Sequence, residues 1–192
     1  MNANVIAQAI TYINEGGKKP KPAEVVSALL TIEKKHKKEK QHYHYAQFVG
    51  TWRLGFVSGT KIVRTGPKST PIKRPGAGRF LPGFTKIEIT YTEQNAVRNA
   101  VTVGPLQLQL TGPTLFWPNT DSLAFDFTSI KAELGSLTLY KGDLRGGEKR
   151  SQAFAQETLK DQAFFTFFLA EEGCIAARGK GGGLALWTAQ LS

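Results

Sequence analysis

The spacing of apolar residues changes once along the chain, near residue 48. Before that point apolar residues recur every three to four positions, which is the repeat of one helix face. They predict a first helix that ends at Gly16-Gly17 and a second that begins near Pro20 and Pro22 and ends in lysine-rich turns. The apolar positions are Val5, Ile6, Ala9, Ile10 and Ile13 in the first helix, and Val25, Val26, Leu29, Leu30 and Ile32 in the second.

From residue 48 onward apolar and polar residues alternate, as they do along half-buried strands. Tight turns are expected at Gln94-Asn95, Gly104-Pro105, Gly112-Pro113, Pro118-Asn119, Gly135, Glu172-Gly173 and Gly181-Gly182-Gly183. About eight or nine short strands joined in this way predict an antiparallel meander, and closure removes its exposed edges. The predicted fold class is mainly β, a closed or nearly closed antiparallel barrel preceded by two N-terminal helices.

Two segments interrupt the alternation. Residues 58–84 contain four prolines and five glycines, and they are too long for a plain connector. Residues 141–162 are polar, and a short helix is expected over 152–159. We assign residues 1–45 to an N-terminal helical extension and residues 46–192 to the barrel, with a basic loop at 58–84.

Composition limits the class of protein. A chain of 192 residues that is 41% hydrophobic can bury a core. Cys174 is the only cysteine, so an intrachain disulfide is excluded and a buried structural thiol is expected. The sequence has no continuous apolar run of about 18 residues, so we expect no membrane-spanning helix. Residues 1–15 lack the pattern of a secretory signal, and no transit peptide is expected.

The net charge of +10 is concentrated in the first half of the chain. Residues 1–87 hold 16 Lys and Arg against 4 Asp and Glu, and there is no acidic residue between Glu39 and Glu88. This asymmetry favours an anionic partner, which is a membrane surface, an acidic protein or nucleic acid. The residues expected to contact an anionic surface are Lys61, Arg64, Lys68, Lys73, Arg74 and Arg79.

The search for catalytic chemistry is negative. His36, His42 and His44 have no acid or cysteine in the same stretch to complete a metal shell, so no metal site is predicted. The glycines at 181–183 join two predicted strands and precede no helix, which favours a turn over a phosphate loop. We predict no catalytic residue and a protein that is not an enzyme.

An eight-stranded barrel has room inside for side chains or for one small ligand. The residues expected to line such a site are Phe56, Tyr91, Leu108, Phe125, Phe127, Phe165 and Phe167. Gly50-Thr51-Trp52 opens the alternating region, and Arg178-Gly179 stands near its end. In small lipocalin-like barrels this combination plugs the closed end. We therefore expect Trp52 to be buried, with Arg178 stacked on its indole by a cation–π contact.

The segments around these motifs, Gly50–Ser58 and Phe167–Trp187, resemble the plastid lipid-associated protein/fibrillin family. The match covers roughly residues 24–190 and carries over Gly50, Trp52, Arg178 and Gly179 only. The resemblance implies a lipocalin-like barrel that binds lipids, carotenoids or quinones without catalysis. The expected absence of a transit peptide suits a cyanobacterial member. The basic insertion at 58–84 and the middle strands depart from the family pattern.

The resemblance leads to one main hypothesis and two alternatives. The main hypothesis is a peripheral binding or scaffold protein at the cytoplasmic face of the cyanobacterial thylakoid, or at the plastid stroma and thylakoid. Its partners are an anionic lipid surface and a lipophilic small molecule. The first alternative is a partner, assembly factor or bilin-handling protein of an acidic photosynthetic pigment–protein complex, with a tetrapyrrole as ligand. The second is a nucleic-acid-binding module that uses the basic aromatic stretch Lys34–Phe48.

Overall fold

The computed structural model describes residues 2–40, 42–64, 66 and 69–190. Its helices are α1 (Asn2–Glu15), α2 (Pro22–Glu39) and α3 (Glu148–Phe154). Its strands are β1 (Gly50–Val57), β2 (Thr60–Val63), β3 (Ile72–Pro75), β4 (Arg79–Phe80), β5 (Thr85–Tyr91), β6 (Ala96–Val103), β7 (Leu106–Trp117), β8 (Ser122–Phe125), β9 (Ser129–Leu134), β10 (Leu137–Asp143), β11 (Ala163–Glu171), β12 (Cys174–Gly179) and β13 (Leu184–Ala189). Within these ranges no helix is long and apolar enough to cross a membrane.

Eight strands close into an antiparallel barrel. Their order is β1-β5-β6-β7-β8-β11-β12-β13, and β13 pairs with β1 to complete the circle. The fold class predicted from the alternation is confirmed, since the chain is mainly β and two helices precede a closed, lipocalin-like barrel. Closure gives both edges of each barrel strand a hydrogen-bonded neighbour along at least part of its length.

Strand β7 takes part in both the barrel and an extension of its sheet. Its C-terminal part, Thr114–Trp117, pairs with β8 inside the barrel, whereas Leu106–Thr111 pairs with β9. The β9–β10 hairpin therefore extends the sheet beyond the barrel. At this fork a Cβ on Gly112 would overlap the carbonyl oxygen of Asp126, so the close approach requires glycine. The turn predicted at Gly112-Pro113 is wrong, because both residues lie within β7.

The two faces of the barrel wall pack into separate hydrophobic cores. Alternate residues of a strand face opposite sides, so each strand contributes to both cores. The inner core contains Phe48, Trp52, Ile89, Tyr91, Val97, Leu123, Phe167, Ile175, Ala177, Ala185 and Trp187. The outer core joins α1 and α2 to the wall, through Ile6, Ala9, Val25, Ala28 and Leu29 from the helices and Phe56, Phe80, Phe168, Cys174, Ala176, Leu184 and Leu186 from the wall and its connections.

A β-bulge in β1 places Phe56 on the outer face of the wall. The register between β1 and β13 shifts between Leu54 and Phe56, so the alternation that points Trp52 inward is interrupted. The Phe56 ring packs edge-on against Phe80 in the outer core, with the ring centroids 5.0 Å apart. The prediction that Phe56 lines the barrel interior is therefore wrong.

The basic segment 58–84 contains short strands in place of the predicted loop. Strands β2 and β3 pair with each other as a hairpin, and β4 pairs with the end of β1. These strands are two to four residues long and mostly exposed, so they give almost no alternation to detect. The helix expected over 152–159 is also displaced, since α3 spans Glu148–Phe154.

Candidate functional site

The segment between α2 and β1 closes one end of the barrel. Phe48 is fully buried there, and its carbonyl oxygen accepts a hydrogen bond of 2.7 Å from Nε1 of the buried Trp52. The hydroxyl of Tyr45 donates to the carbonyl oxygen of Thr92, beside the β5–β6 turn, at 2.6 Å. We call this end the closed end.

Arg178 does not stack on Trp52 as predicted. Ala177 belongs to the inner core, so the next residue of β12 faces outward. There Nε of Arg178 donates to Oε1 of Glu33 at 2.8 Å, and Nη1 donates to the carbonyl oxygen of Gly182 at 2.7 Å. The prediction of an Arg178–Trp52 pair is wrong, because the two side chains lie on opposite faces of the wall.

The two motif glycines have local roles in the backbone and packing. Gly50 has a φ of +130°, a conformation that residues with a Cβ rarely adopt. Gly179 pairs with Phe165, and a Cβ on Gly179 would stand 3.6 Å from the Phe165 ring. Both positions therefore contribute to the barrel wall, and neither contributes a functional group.

Glu33 ties α2 to the barrel through Arg178. Its carboxylate is buried and also accepts a hydrogen bond of 2.9 Å from Nζ of Lys37. Burial by itself raises the pKa of Glu33. The hydrogen bonds and charges of Arg178 and Lys37 outweigh burial and hold this pKa below its ordinary value. The carboxylate is therefore ionised at neutral pH.

Asp121 organises the chain that leads into the closed end. Its Oδ2 lies 3.0 Å from Nε2 of His36 and 3.2 Å from Nδ1 of His42, and its Oδ1 accepts the Tyr43 N–H at 2.8 Å. The His36 and Tyr43 rings stack with centroids 4.8 Å apart. In the described ranges no three His, Cys, Asp or Glu side chains are grouped to hold a metal ion. Sequence reasoning missed this cluster because Asp121 lies 85 residues beyond His36.

Aromatic rings fill the middle of the barrel. Phe125 stacks on Phe165 with centroids 5.2 Å apart, and Phe165 meets Trp187 edge-on at 5.2 Å. Five of the predicted lining residues belong to the inner core or pack against it, namely Tyr91, Phe125, Phe127, Phe165 and Phe167. Leu108 is placed differently, since its register puts it on the inner sheet face but its side chain is 39% exposed.

The hydroxyl of Tyr91 is a polar group within this apolar interior. It is buried, and within the part of the chain that the structure describes it has no hydrogen-bond partner. Burial raises the pKa of Tyr91 far above its ordinary value, so the side chain stays a neutral phenol that carries an O–H donor. An unpaired buried donor of this kind costs about 1–3 kcal/mol.

The barrel interior continues into an exposed apolar sheet face at the end opposite the closed end. Residues directly opposite in neighbouring strands share a face, which gives two successive apolar rows. The first row contains Ile87, Val101, Leu108, Ala132 and Tyr140, and the second contains Val103, Leu106, Leu134 and Leu137. The exposed fraction rises along this face from 3% at Ile89 to 61% at Leu137.

The other face of the same strands is polar. Thr102, Gln107, Glu133 and Thr138 are directly opposite one another on β6, β7, β9 and β10. Nζ of Lys131 also pairs with Glu133 at 2.6 Å on this face. We call the apolar face of these strands, from Ile87 to Leu137, the open apolar face. Its contrast with the polar side indicates that it is built to contact something apolar.

The β2–β3 hairpin lies at the same end of the barrel as the open apolar face, but on the side of the mouth formed by β1, β12 and β13. Its base is fixed by Thr60, whose Oγ1 donates to the carbonyl oxygen of Gly181 in the β12–β13 turn at 3.0 Å. Five of the predicted basic contact residues are exposed on or beside β2, β3 and β4, namely Lys61, Arg64, Lys73, Arg74 and Arg79. Lys68 lies outside the described residues.

Clefts of about 290, 280 and 440 Å³ lie on the helix side of the molecule. They are lined by residues of α1, α2 and neighbouring strands and turns. None of the three is lined by Tyr91, Phe125 or Phe165. The open apolar face is therefore separate from these clefts, whereas Phe167 of the inner core lines the cleft of about 280 Å³.

Cys174 is not placed for nucleophilic chemistry. Burial, followed by the charge of Glu171, raises the pKa of the thiol to about 12, so it is protonated at neutral pH.

Comparison of the chain with protein-family models and with curated proteins gives no match.

Proposed function

We propose that the protein binds a lipophilic small molecule at the open end of its barrel without catalysing a reaction. The observation that carries this proposal is the largely apolar face that runs from buried Ile89 to exposed Leu137. Such a face buries a ligand's apolar surface at about 25 cal/mol per Å². The unpartnered hydroxyl of Tyr91 lies farther inside, near the closed end.

The finer part of the proposal follows from the family resemblance. A member of the plastid lipid-associated protein/fibrillin family would bind a lipid, carotenoid or quinone at a photosynthetic membrane. The exposed basic residues of the β2–β3 hairpin suit a peripheral position on an anionic surface of that kind.

The test is ligand binding by the full chain in vesicle-free solution. Mass spectrometry of solvent extracts from natively purified protein identifies a resident ligand, and titration with Nile red measures the affinity of the apolar site. Leu108→Asp puts a charge on the open apolar face, whereas Gln107→Asp puts the same charge on the polar face one residue away. We expect roughly tenfold weaker Nile red binding for Leu108→Asp only. Equal affinities for the two variants would overturn the proposal.

The pigment–protein alternative rests on the same basic hairpin, since an acidic protein would also pair with it. A pull-down from thylakoid extract with Lys61→Gln and Arg74→Gln variants separates this partner from lipid. The nucleic-acid alternative has weaker support, because its stacking rings are already engaged. Tyr43 stacks on His36, Tyr45 donates to Thr92, and Phe48 is fully buried.

A further inference from the structure

We propose that the open end docks end-on to an anionic bilayer, with the tips of its hairpins inserted among the lipids, so that the barrel interior faces the membrane. The inference rests on the proposed function in that both use the open apolar face. It adds an orientation, a set of inserted residues and a route by which a ligand reaches the barrel without crossing water.

The first observation is a rim of exposed apolar side chains at the open end. Val103, Leu106, Leu134 and Leu137 are directly opposite one another on four neighbouring strands. The row therefore spans about 14 Å, which is three strand spacings of about 4.8 Å. All four residues flank the β6–β7 and β9–β10 turns, and each is more than two-fifths exposed.

Phe84 adds an aromatic side chain to the same rim. It precedes Thr85, which pairs with Val103, so it stands next to the apolar row. Its side chain is 76% exposed, an unusual position for phenylalanine in contact with water only. Aromatic and leucine side chains at such tips are the groups that enter the headgroup boundary of a bilayer.

The second observation is charge, which favours lipid as the occupant. The exposed Lys61, Arg74 and Lys73 lie on a hairpin whose base is bonded to the β12–β13 turn, and that turn belongs to the open end. Basic side chains and protruding apolar ones at the same end of the molecule match the layered chemistry of an anionic membrane surface, with phosphates outside and acyl chains beneath. The turns at the closed end, by contrast, carry the exposed acids Glu93, Glu171 and Glu172.

A second basic region on α2 provides the rival orientation. The last turns of α2 contain exposed Lys34, Lys35 and Lys38, but only Leu30 is a large exposed apolar residue on that helix. Binding by α2 would therefore be purely electrostatic. Docking by the open end instead combines charge attraction with the insertion of apolar side chains. Because salt screens only the charge attraction, the two orientations should differ in how strongly salt weakens binding.

The experiment measures local insertion with the full chain. Phe84→Cys and Glu93→Cys are each labelled with the environment-sensitive dye NBD, while Cys174 stays unlabelled because it is buried. The labelled proteins are mixed with phosphatidylcholine vesicles with and without phosphatidylglycerol. We expect the dye at position 84 to brighten and to be quenched by acyl-chain spin labels only with phosphatidylglycerol. The dye at position 93 should not respond. Three results would overturn the inference. They are a response at position 93 alone, equal responses at both positions, and no response at position 84 although the protein sediments with the vesicles.

Sedimentation of unlabelled variants with the same vesicles tests which apolar and basic residues contribute to membrane binding. Phe84→Ser with Leu137→Ser should lower partitioning roughly tenfold even at raised salt, because apolar insertion is lost. Lys61→Gln, Lys73→Gln and Arg74→Gln together should lower it mainly at low salt, because charge attraction is screened. The matched α2 variant, Lys34→Gln, Lys35→Gln and Lys38→Gln, should behave as the original chain. Loss of binding only in the α2 variant would assign docking to the helix and overturn the inference.

Self-association and ligand binding without docking each give a distinct result. A concentration-dependent dimer whose formation alone brightens the dye at position 84 would assign the rim to a second copy of the chain and overturn the inference. Nile red binding that distinguishes Leu108→Asp from Gln107→Asp, without any vesicle response at position 84, would overturn the docking and leave the proposed function standing. The reverse result would support the docking and overturn ligand binding.

Discussion

The Glu33–Arg178 ion pair is the main polar link between the helices and the barrel wall. Both charges are well satisfied, since the carboxylate accepts from Arg178 and Lys37 and the guanidinium also donates to Gly182. A pair of this kind is costly to break, because removing one partner leaves the other charge without its hydrogen bonds. Its contribution to stability therefore depends on the ionisation of Glu33.

Replacing Glu33 by glutamine should lower the free energy of unfolding at neutral pH by roughly 1–3 kcal/mol. The pKa of Glu33 is lower in the folded chain than its ordinary value of 4.5, so the carboxylate stabilises the fold above that value. The stabilisation is lost as the pH falls below 4.5 and through the lower folded pKa. Urea unfolding of both proteins across this range should show the difference shrinking with acid. A difference that stays constant would contradict the ion-pair assignment.

Trp52 should be a large contributor to stability at the closed end. Trp52→Ala removes a buried indole and its hydrogen bond to Phe48, and we expect a loss of about 3–5 kcal/mol in urea unfolding. Trp117→Ala is the matched control, because Trp117 is only half-buried and its Nε1 has no partner among the described residues. Its cost should be clearly smaller. Equal costs would show that Trp52 does not anchor the closed end.

Single residues show what the sequence can and cannot predict. The position of Trp52 on a strand flanked by glycine predicts a buried indole, because burial depends on local alternation. The partner of Arg178 is not predictable in the same way, since Glu33 lies 145 residues away and outside both motif segments. Side chains alternate along β12, so Arg178 lies on the face opposite that of its neighbour Ala177. A β-bulge interrupts this alternation, and the sequence does not show where a bulge occurs.

At the scale of elements, the fork in β7 decides where the barrel ends and the open apolar face begins. The chain passes from β8 to β9 through Asp126 and Thr128, whose backbone N–H groups donate to Pro113 and Thr111 of β7. Gly112 lies beneath this crossing, with no space for a side chain. Asp126 is held further by Arg145 at 3.0 Å, so the fork has both a steric and an ionic component.

Gly112→Ala should therefore destabilise the fork. A methyl group would overlap backbone atoms of Asp126, which cannot move as easily as a flexible side chain, and we expect a cost of about 1–3 kcal/mol. Gly173→Ala is the matched control in the β11–β12 turn, since no atom lies within 4 Å of its Cβ position. Its effect should stay within about 0.5 kcal/mol. Thermal unfolding of both variants provides the comparison, and similar melting temperatures would refute the steric role of Gly112.

Elements differ in how well the sequence predicts them. The longer strands between β5 and β13 are predicted by the alternation of apolar and polar residues, because one face of each strand is buried and the other faces water. The fork cannot be predicted in this way. Gly112-Pro113 has the composition of a turn, but it lies within β7, where the pairing partner of β7 changes from β8 to β9. The β2–β3 hairpin is missed for a different reason, since it has little buried face and its pairing is set by backbone contacts to Gly59 and Gly181.

At the scale of the whole molecule, the helices and the open apolar face use different parts of the barrel. Helices α1 and α2 cover the outer side of the wall near β1, β11, β12 and β13. The open apolar face belongs to the inner side of β5, β6, β7, β9 and β10. A bilayer that receives the open end would therefore leave the C-terminal turns of α2 in water, since His36 of these turns lies 3.0 Å from Asp121 near the closed end.

Hydrogen exchange on anionic vesicles should report this division directly. For the full chain bound to phosphatidylcholine vesicles containing phosphatidylglycerol, we expect slower amide exchange in β2, β3 and the β6–β7 and β9–β10 turns, because insertion removes these segments from water. Exchange in the C-terminal turns of α2 should not change, since these turns lie near the closed end. The Phe84→Ser and Leu137→Ser double variant is the control and should show none of this slowing. Protection confined to α1 and α2 would mean that the molecule lies on its helices, and it would exclude end-on docking.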